Sequence, residues 1–124
     1  MNVVDSSGWL EYFADGFNAG FFAPTITATQ ELIVPTLSLY EVFKRVMQQS
    51  GEAQALQAVA LMQQGQIVDL DPAIALAAAK ISIEHHLPMA DSIILATARS
   101  REAVLWTQDA DFANVAGVRY VAKN

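Results

Sequence analysis

The chain contains no cysteine among its 124 residues. A disulfide framework and a zinc site with thiolate ligands are therefore excluded. No apolar run approaches the ~20 residues that a membrane-spanning helix needs. The first residues, Met-Asn-Val-Val-Asp, lack the basic segment and the long apolar core of a secretory signal. We therefore expect a protein without a membrane span that works in a reducing cytoplasm.

Basic residues are also scarce. Lysine and arginine together number 7 against 13 acidic residues, so the formal net charge is −6. This balance argues against general, salt-driven binding to nucleic acid, which needs a basic surface. The objection weakens if the acids are clustered, because taking four site carboxylates out of the −6 leaves −2. A polyanionic substrate that is recruited through bound metal ions therefore stays open.

Several motifs that carry chemistry are missing. The chain has no Gly-rich phosphate-binding loop, no internal repeat and no linker. Its serines lack a histidine partner for a nucleophilic triad, because the two histidines, His85 and His86, are adjacent at the end of a predicted helix. The length, with 53% hydrophobic residues, predicts a single domain over residues 1–124.

What remains is an alternation of short apolar strands and longer helices. The pattern predicts strands at residues 2–4, 31–35, 66–70, 103–107 and 118–121. It predicts helices at residues 8–14, within 17–28, and at 38–49, 53–63, 72–86 and 90–100. Ser6 or Ser7 would cap the first helix, and Asp71-Pro72 is a typical helix start. Strands separated by helices predict an α/β fold, a three-layer α/β/α sandwich with a mostly parallel sheet of four or five strands.

Four acids fall at the ends of these elements or one turn inside them. Asp5 follows the first strand, Glu41 lies early in the third helix, Asp91 heads the last helix, and Asp109 follows the fourth strand. In an α/β sheet these positions converge on one crevice. Carboxylates about 5 Å apart repel each other by roughly 3–4 kcal/mol per pair at an effective dielectric near 20. The pattern therefore predicts a site for a hard divalent cation with oxygen ligands.

Each acid also has a structural interpretation. Asp5 could cap the first helix, and Glu41 could bond back to the Ser38 backbone in a capping box. Asp91 would be favourable in the first turn of any helix, and Asp109 is typical of an Asx turn. Their joint placement, rather than any one of them, favours a metal site.

Four segments carry a resemblance to a known family: Val3-Val4-Asp5-Ser6-Ser7, Ser38-Leu-Tyr-Glu41-Val-Phe, Met89-Ala-Asp91-Ser-Ile-Ile-Leu-Ala-Thr-Ala98 and Thr107-Gln-Asp109-Ala-Asp111-Phe112. In this order they make the chain resemble a PIN-domain ribonuclease of the VapC toxin type, over essentially its whole length. The resemblance implies a PIN-like fold and an acidic quartet, which maps onto Asp5, Glu41, Asp91 and Asp109. It also implies an outer acid at Asp111 and hydroxyl positions beside the site at Ser6 and Thr107.

The resemblance further implies Mg²⁺ or Mn²⁺, an RNA substrate, a homodimer and inhibition by a cognate antitoxin. In the mechanism that we expect, Asp5, Asp91 and Asp109 hold one or two ions, and Glu41 orients or deprotonates the attacking water. Crowding should raise the pKa of one or more of these carboxyls when no metal is bound.

Two surfaces are expected around this site. Lys44 and Arg45 lie one turn beyond Glu41, and Arg99 lies two turns beyond Asp91, so these cations are candidates for contacts with RNA phosphates. Six aromatic residues crowd the N-terminal third: Trp9, Tyr12, Phe13, Phe17, Phe21 and Phe22. Most of them should lie in the core, and the exposed remainder is expected to form a groove for an antitoxin segment.

Other functions stay open at this point. The chain could be an RNA-processing nuclease of the same fold that is not a toxin, or a non-catalytic metal-binding interaction module. A receiver-like phosphoacceptor is disfavoured, because it needs paired acids near the first strand and a lysine after the last major strand, and this sequence has neither.

Overall fold

The computed structural model describes residues 1–124. Its helices are α1 (Ser6–Phe13), α2 (Ala19–Thr27), α3 (Thr36–Ser50), α4 (Glu52–Met62), α5 (Pro72–His85) and α6 (Met89–Ser100). Its strands are β1 (Asn2–Val4), β2 (Leu32–Pro35), β3 (Gln66–Val68), β4 (Val104–Thr107) and β5 (Val118–Tyr120). Two short 3₁₀ turns cover Thr29–Glu31 and Ala110–Phe112. Every predicted helix and strand is present, so the α/β prediction is confirmed.

All five strands run parallel, in the order β3-β2-β1-β4-β5. The first strand lies at the centre, and Val4 of β1 is in register with Trp106 of β4. Because the strands share one direction, their carboxyl ends gather at a single edge of the sheet, where α/β folds place their sites. The sheet thus brings together the acids that follow β1 and β4.

Helices cover both faces of the sheet, which confirms the predicted three layers. Val3 and Leu105 point to one face and pack in a cluster with α5 and α6. Val4 and Val34 point to the other face and pack with α1, α2, α3 and α4. Val3 and Val4 are both fully buried because successive strand residues face opposite sides. None of the six helices has the length and apolarity that crossing a bilayer requires.

The start of α1 decides among the three candidate caps, Asp5, Ser6 and Ser7. Asp5, rather than Ser6 or Ser7, is its N-cap, and the Asp5 carboxylate accepts the Gly8 backbone N–H at 2.9 Å. Asp5 takes the N-cap position because β1 ends at Val4, and Asp5 is the last residue with extended backbone before the helix begins at Ser6. The fifth helix begins as predicted, with Asp71 as its cap and Pro72 at its first position.

At Gly8, α1 lies close against β1 and α2. A Cβ atom there would lie 2.6 Å from Val4 Cγ1 and 2.7 Å from the Phe22 ring. Since both neighbours are fully buried, they have little room to move.

We expect Gly8→Ala to lower the free energy of unfolding by about 1–3 kcal/mol, the usual cost of overpacking a core. The control is Gly20→Ala, because a Cβ at that position in α2 meets nothing within 4 Å. It should leave the stability unchanged or raise it by up to ~1 kcal/mol. Urea titration of both variants measures the difference, and equal stabilities would contradict the packing at Gly8.

Candidate metal centre

Asp5 is held in place by three neighbours. It follows β1 and is only 2% exposed. Its Oδ1 accepts the Gly8 N–H at 2.9 Å and the Ser7 hydroxyl at 2.8 Å. Its Oδ2 accepts the Thr107 hydroxyl at 2.6 Å. The capping interpretation of Asp5 is therefore confirmed. The same carboxylate bonds Thr107 at the edge of the sheet, so the cap is compatible with the site interpretation, which stays a prediction.

Thr107 connects Asp5 to the second acidic segment. Its Oγ1 donates to Asp5 and accepts the Asp109 backbone N–H at 2.9 Å. Asp109 then caps the following 3₁₀ turn, with its Oδ1 accepting the Asp111 N–H at 2.9 Å. The Asx-turn interpretation of Asp109 is therefore realised as well. One hydroxyl fixes the spacing between the ends of β1 and β4.

The tightest group of acids is Asp91, Asp109 and Asp111, each of which offers a carboxylate oxygen within 4.8 Å of the others. The expected ligand set was Asp5, Asp91 and Asp109, with Asp111 outside it. Asp111, rather than Asp5, belongs to the closest group because the 3₁₀ turn brings its backbone N–H to the Asp109 carboxylate. The Asp5 carboxylate instead points to its three donors, Thr107, Gly8 and Ser7. Asp5 still lies close enough for its charge to act on Asp91.

Glu41 reaches this edge from α3. Its Oε1 accepts the Ser6 hydroxyl at 2.6 Å, across 35 residues of sequence. The capping-box alternative for Glu41 is wrong, because α3 begins at Thr36, two residues before Ser38, and its N-cap makes no side-chain hydrogen bond. Ser6 is thus beside the site as expected, but it contacts Glu41 rather than one of the three aspartates of the closest group.

Two of the aspartates have raised pKa values. Burial raises the pKa of Asp91 to about 7, with smaller contributions from the charges of Asp109 and Asp5. Burial also raises the pKa of Asp5 to about 6, although hydrogen bonds from Thr107, Gly8 and Ser7 oppose the rise. The predicted direction is confirmed, but burial rather than crowding is the larger cause at both positions.

The three candidate RNA-binding cations separate into two places. Lys44 and Arg45 line a shallow depression together with Glu41. Arg45 also lines a second depression with Lys123, a residue that no pattern in the sequence indicated. Arg99 lies apart from the other two cations, because the eight residues of α6 between Asp91 and Arg99 span about 12 Å along the helix axis. There its guanidinium donates to the Ala116 carbonyl at 3.3 Å, just before β5 begins.

The early aromatic residues are mostly core. Trp9 and Phe22 are fully buried, whereas Phe17 is 76% exposed. Only Phe13 of the six lines the apolar groove between α1, α3 and α4, which is otherwise lined by Leu10, Ala14, Val46, Gln49, Ser50, Gln54, Gln57, Ala58 and Leu61. A groove is therefore present beside these aromatic residues, but aliphatic and polar side chains form most of it, and its role in binding an antitoxin stays a prediction.

These residues fit a hard divalent cation. The donor set consists of carboxylate oxygens alone, which is what Mg²⁺ and Mn²⁺ prefer over softer metals. No hydrogen bond offsets the burial of the Asp91 carboxylate, so its ionised form lacks a positive partner within the protein. A bound cation would supply that partner.

Comparison with known proteins agrees with this fold. The family model described as PIN domain matches residues 3–118. A chain of a toxin–antitoxin complex from Klebsiella pneumoniae has a TM-score of 0.79 and 22% identity, with 96% of each chain covered. The toxin VapC20 of Mycobacterium tuberculosis, described as cleaving the sarcin-ricin loop, has a TM-score of 0.78 and 15% identity, over 94% of this chain and 95% of that one.

A further structure, VapBC2 from Rickettsia felis bound to a DNA fragment from its promoter, has a TM-score of 0.75 and 11% identity over 98% of this chain and 97% of that one. A search of curated protein sequences gave no significant match. At these identities the structural likeness shows the fold alone. The family model, in contrast, spans nearly the whole sequence and confirms the resemblance that four short segments indicated. This chain belongs to the PIN-domain family.

Proposed function

We propose that this protein is a metal-dependent endoribonuclease and the toxin of a toxin–antitoxin pair. The observation that carries the proposal is the group of three carboxylates, Asp91, Asp109 and Asp111, at the carboxyl edge of the sheet. The buried Asp5 behind them adds a fourth acid. Membership of the PIN-domain family and the likeness to toxin chains of toxin–antitoxin complexes support the same assignment.

Asp91, Asp109 and Asp111 would hold one or two Mg²⁺ or Mn²⁺ ions, with Asp5 adding a fixed negative charge or a further ligand. When bound, such a cation makes a water molecule acidic near neutral pH and neutralises the charge that develops on the phosphate oxygens. Asp5 keeps its orientation throughout, because Thr107, Ser7 and the Gly8 N–H all donate to it.

Glu41 is the proposed general base. Its Oε1 accepts the Ser6 hydroxyl, which leaves Oε2 to orient the attacking water and to take its proton. Attack on the scissile phosphorus would then break the bond to the 3′-oxygen. The products would carry a 5′-phosphate and a 3′-hydroxyl.

The substrate would enter beside α3. Lys44 and Arg45 adjoin Glu41 and would contact the phosphates that flank the scissile one, and Lys123 extends this basic border. Three cations on one side of the acids would let a chain of net charge −6 bind RNA at this edge.

Two apolar surfaces would serve the proposed protein partners. The groove between α1, α3 and α4, with Phe13 and Leu61 at its walls, would receive a segment of the antitoxin. Leu76 and Ile83 of α5, which are 70% and 77% exposed, lie seven residues apart on one helix face and would pack against a second copy in a homodimer. The cytoplasm is the proposed compartment.

The ribonuclease assignment predicts a large loss of cleavage from a single isosteric change. Asp91→Asn and Asp5→Asn should each lower the cleavage of total RNA about 100-fold or more, because each removes a charge that the reaction needs. Both variants should bind Mn²⁺ more weakly and should keep the fold, as far-ultraviolet circular dichroism reports. Mapping new 5′ ends in the presence of Mg²⁺, Mn²⁺ or a chelator measures the activity.

The matched control is Asp69→Asn, an exposed aspartate just after β3 and thus at the same edge of the sheet. It should cleave RNA like the unchanged protein. Cleavage that survives Asp91→Asn would contradict the proposed site. Mn²⁺ binding by a protein that cleaves no RNA would favour the metal-binding interaction module instead.

The raised pKa values predict an unusual pH dependence for the metal-free protein. The carboxyls of Asp5 and Asp91 have pKa values of about 6 and about 7 in the folded state, against 3.8 for an ordinary aspartate. Between about pH 4 and 7 the folded protein therefore retains protons that the unfolded chain has released, so its stability falls as the pH rises. The melting temperature in chelator should be lower at pH 8 than at pH 5.

Mn²⁺ should restore much of the stability at pH 8, because the ion favours ionised ligands. Asp91→Asn should flatten the pH dependence in chelator, whereas Asp69→Asn should leave it unchanged. A metal-free protein that becomes more stable from pH 5 to pH 8 would show that these carboxyls do not keep their protons in the folded state.

The toxin role needs a cellular test. Expression of the unchanged chain should arrest growth, and expression of Asp91→Asn at the same level should not. Co-expression of the small protein encoded beside this gene should relieve the arrest if that protein is the antitoxin. RNA cleavage in vitro without any growth arrest would instead indicate an RNA-processing nuclease.

A further inference from the structure

Two buried amides lie behind the acidic edge. Asn18 and Gln108 are 6% and 7% exposed and are separated by 90 residues of sequence. The Asn18 Nδ2 donates to Gln108 Oε1 at 3.0 Å and to the Ala122 carbonyl at 3.0 Å. The Gln108 Nε2 in turn donates to the Ser7 carbonyl in a long bond of 3.5 Å.

This amide pair, Asn18 with Gln108, joins separate parts of the chain. Gln108 follows directly after β4, Ser7 belongs to α1, and Asn18 directly precedes α2. The backbone N–H of Asn18 adds a bond of 2.8 Å to Glu11 Oε2, so the loop between α1 and α2 is tied to α1 as well. Through Ala122 the pair also holds the residues that follow β5.

Gln108 lies between the two residues that set the geometry of the site. Thr107 on one side bonds Asp5 Oδ2 and the Asp109 N–H, and Asp109 on the other side belongs to the closest group of carboxylates. A shift of the chain at Gln108 would therefore change both the hydrogen bond to Asp5 and the position of Asp109. The amide pair keeps the chain at Gln108 in one position, because a shift would leave a buried amide without its hydrogen-bond partner, which costs free energy.

We propose that the Asn18–Gln108 amide pair is a positioning element of the metal site, which sets the distance of Asp109 from Asp5 by holding the end of β4 against α1 and the C-terminal residues. The pair contacts neither substrate nor metal. It acts through Thr107 and Asp109, and the inference rests on the proposed metal-binding function of those acids.

The decisive variants remove the amide and keep the volume. Gln108→Met and Asn18→Leu should each raise the dissociation constant for Mn²⁺ about 10-fold, the lower range for the loss of a residue that orients a metal ligand. Isothermal titration of the metal-free protein with Mn²⁺ measures it. The kcat for a single-stranded oligoribonucleotide should fall while the KM changes less than about twofold. The double variant should be no worse than the more severe single one.

The experiment must separate a general loss of protein stability from a displacement of Asp109. Ile81→Val is the control, because Ile81 is buried between α5 and α6, away from the amides, and its truncation lowers the melting temperature without touching the site. It should bind Mn²⁺ like the unchanged protein. If Gln108→Met fails to fold, Gln108→Asn keeps an amide one methylene shorter and should weaken Mn²⁺ binding in the same direction.

The outcomes distinguish this inference from the proposed function. Unchanged Mn²⁺ affinity in Gln108→Met, or an equal loss of affinity in Ile81→Val, overturns the positioning role while the ribonuclease activity stands. Mn²⁺ binding that depends on Gln108 in a protein that cleaves no RNA supports the positioning role and overturns the ribonuclease.

Discussion

The hydroxyl of Thr107 is the point on which the geometry of the acidic edge depends. It donates to the Asp5 carboxylate and accepts the N–H of Asp109, so it joins the ends of two strands that are about a hundred residues apart in sequence. That contact exists only because β1 and β4 pair in parallel, with Val4 in register with Trp106. A different pairing of the central strand would leave the buried Asp5 carboxylate without the Thr107 hydroxyl, and a buried charge that loses one of its hydrogen-bond donors is costly in free energy.

The layers on the two faces of the sheet meet at this same edge. From one face, α1 brings the cap that orients Asp5, and α3 brings Glu41 to the Ser6 hydroxyl. From the other face, α6 begins two residues before Asp91. Both apolar clusters are therefore needed to keep the acids together, because each anchors a different set of helices. Close packing on both faces fixes the positions from which these helices bring their acids to the edge.

The sequence predicted the elements and the acids well, because both depend on local patterns. Strand ends, helix caps and apolar periodicity located every element and placed Asp91 and Asp109 on one edge. Properties that depend on side-chain direction across the fold were not predictable. In the sequence, Arg99 is simply two helical turns beyond Asp91. In the structure, α6 runs away from the acidic edge, so the Arg99 guanidinium lies at the opposite edge and donates to the Ala116 carbonyl. The contact between Asn18 and Gln108 has no local signal at all, since two polar residues 90 positions apart look like ordinary loop residues.

The buried Asp5 and the half-buried Asp91 differ in how many of their carboxylate oxygens the protein already uses. Asp5 is the more buried, yet three hydrogen bonds offset part of that burial, and its pKa of about 6 is the lower of the two. Asp91 has no such hydrogen bond, and the charges of Asp109, Asp5, Asp111 and Glu41 add to its burial to raise its pKa to about 7. Asp5 therefore has its acceptor sites largely used by the protein, whereas both oxygens of Asp91 are free for an external positive charge. For this reason the proposed metal ligands centre on Asp91, which forms the closest group of acids with Asp109 and Asp111, and Asp5 is proposed as the fixed anchor beside them.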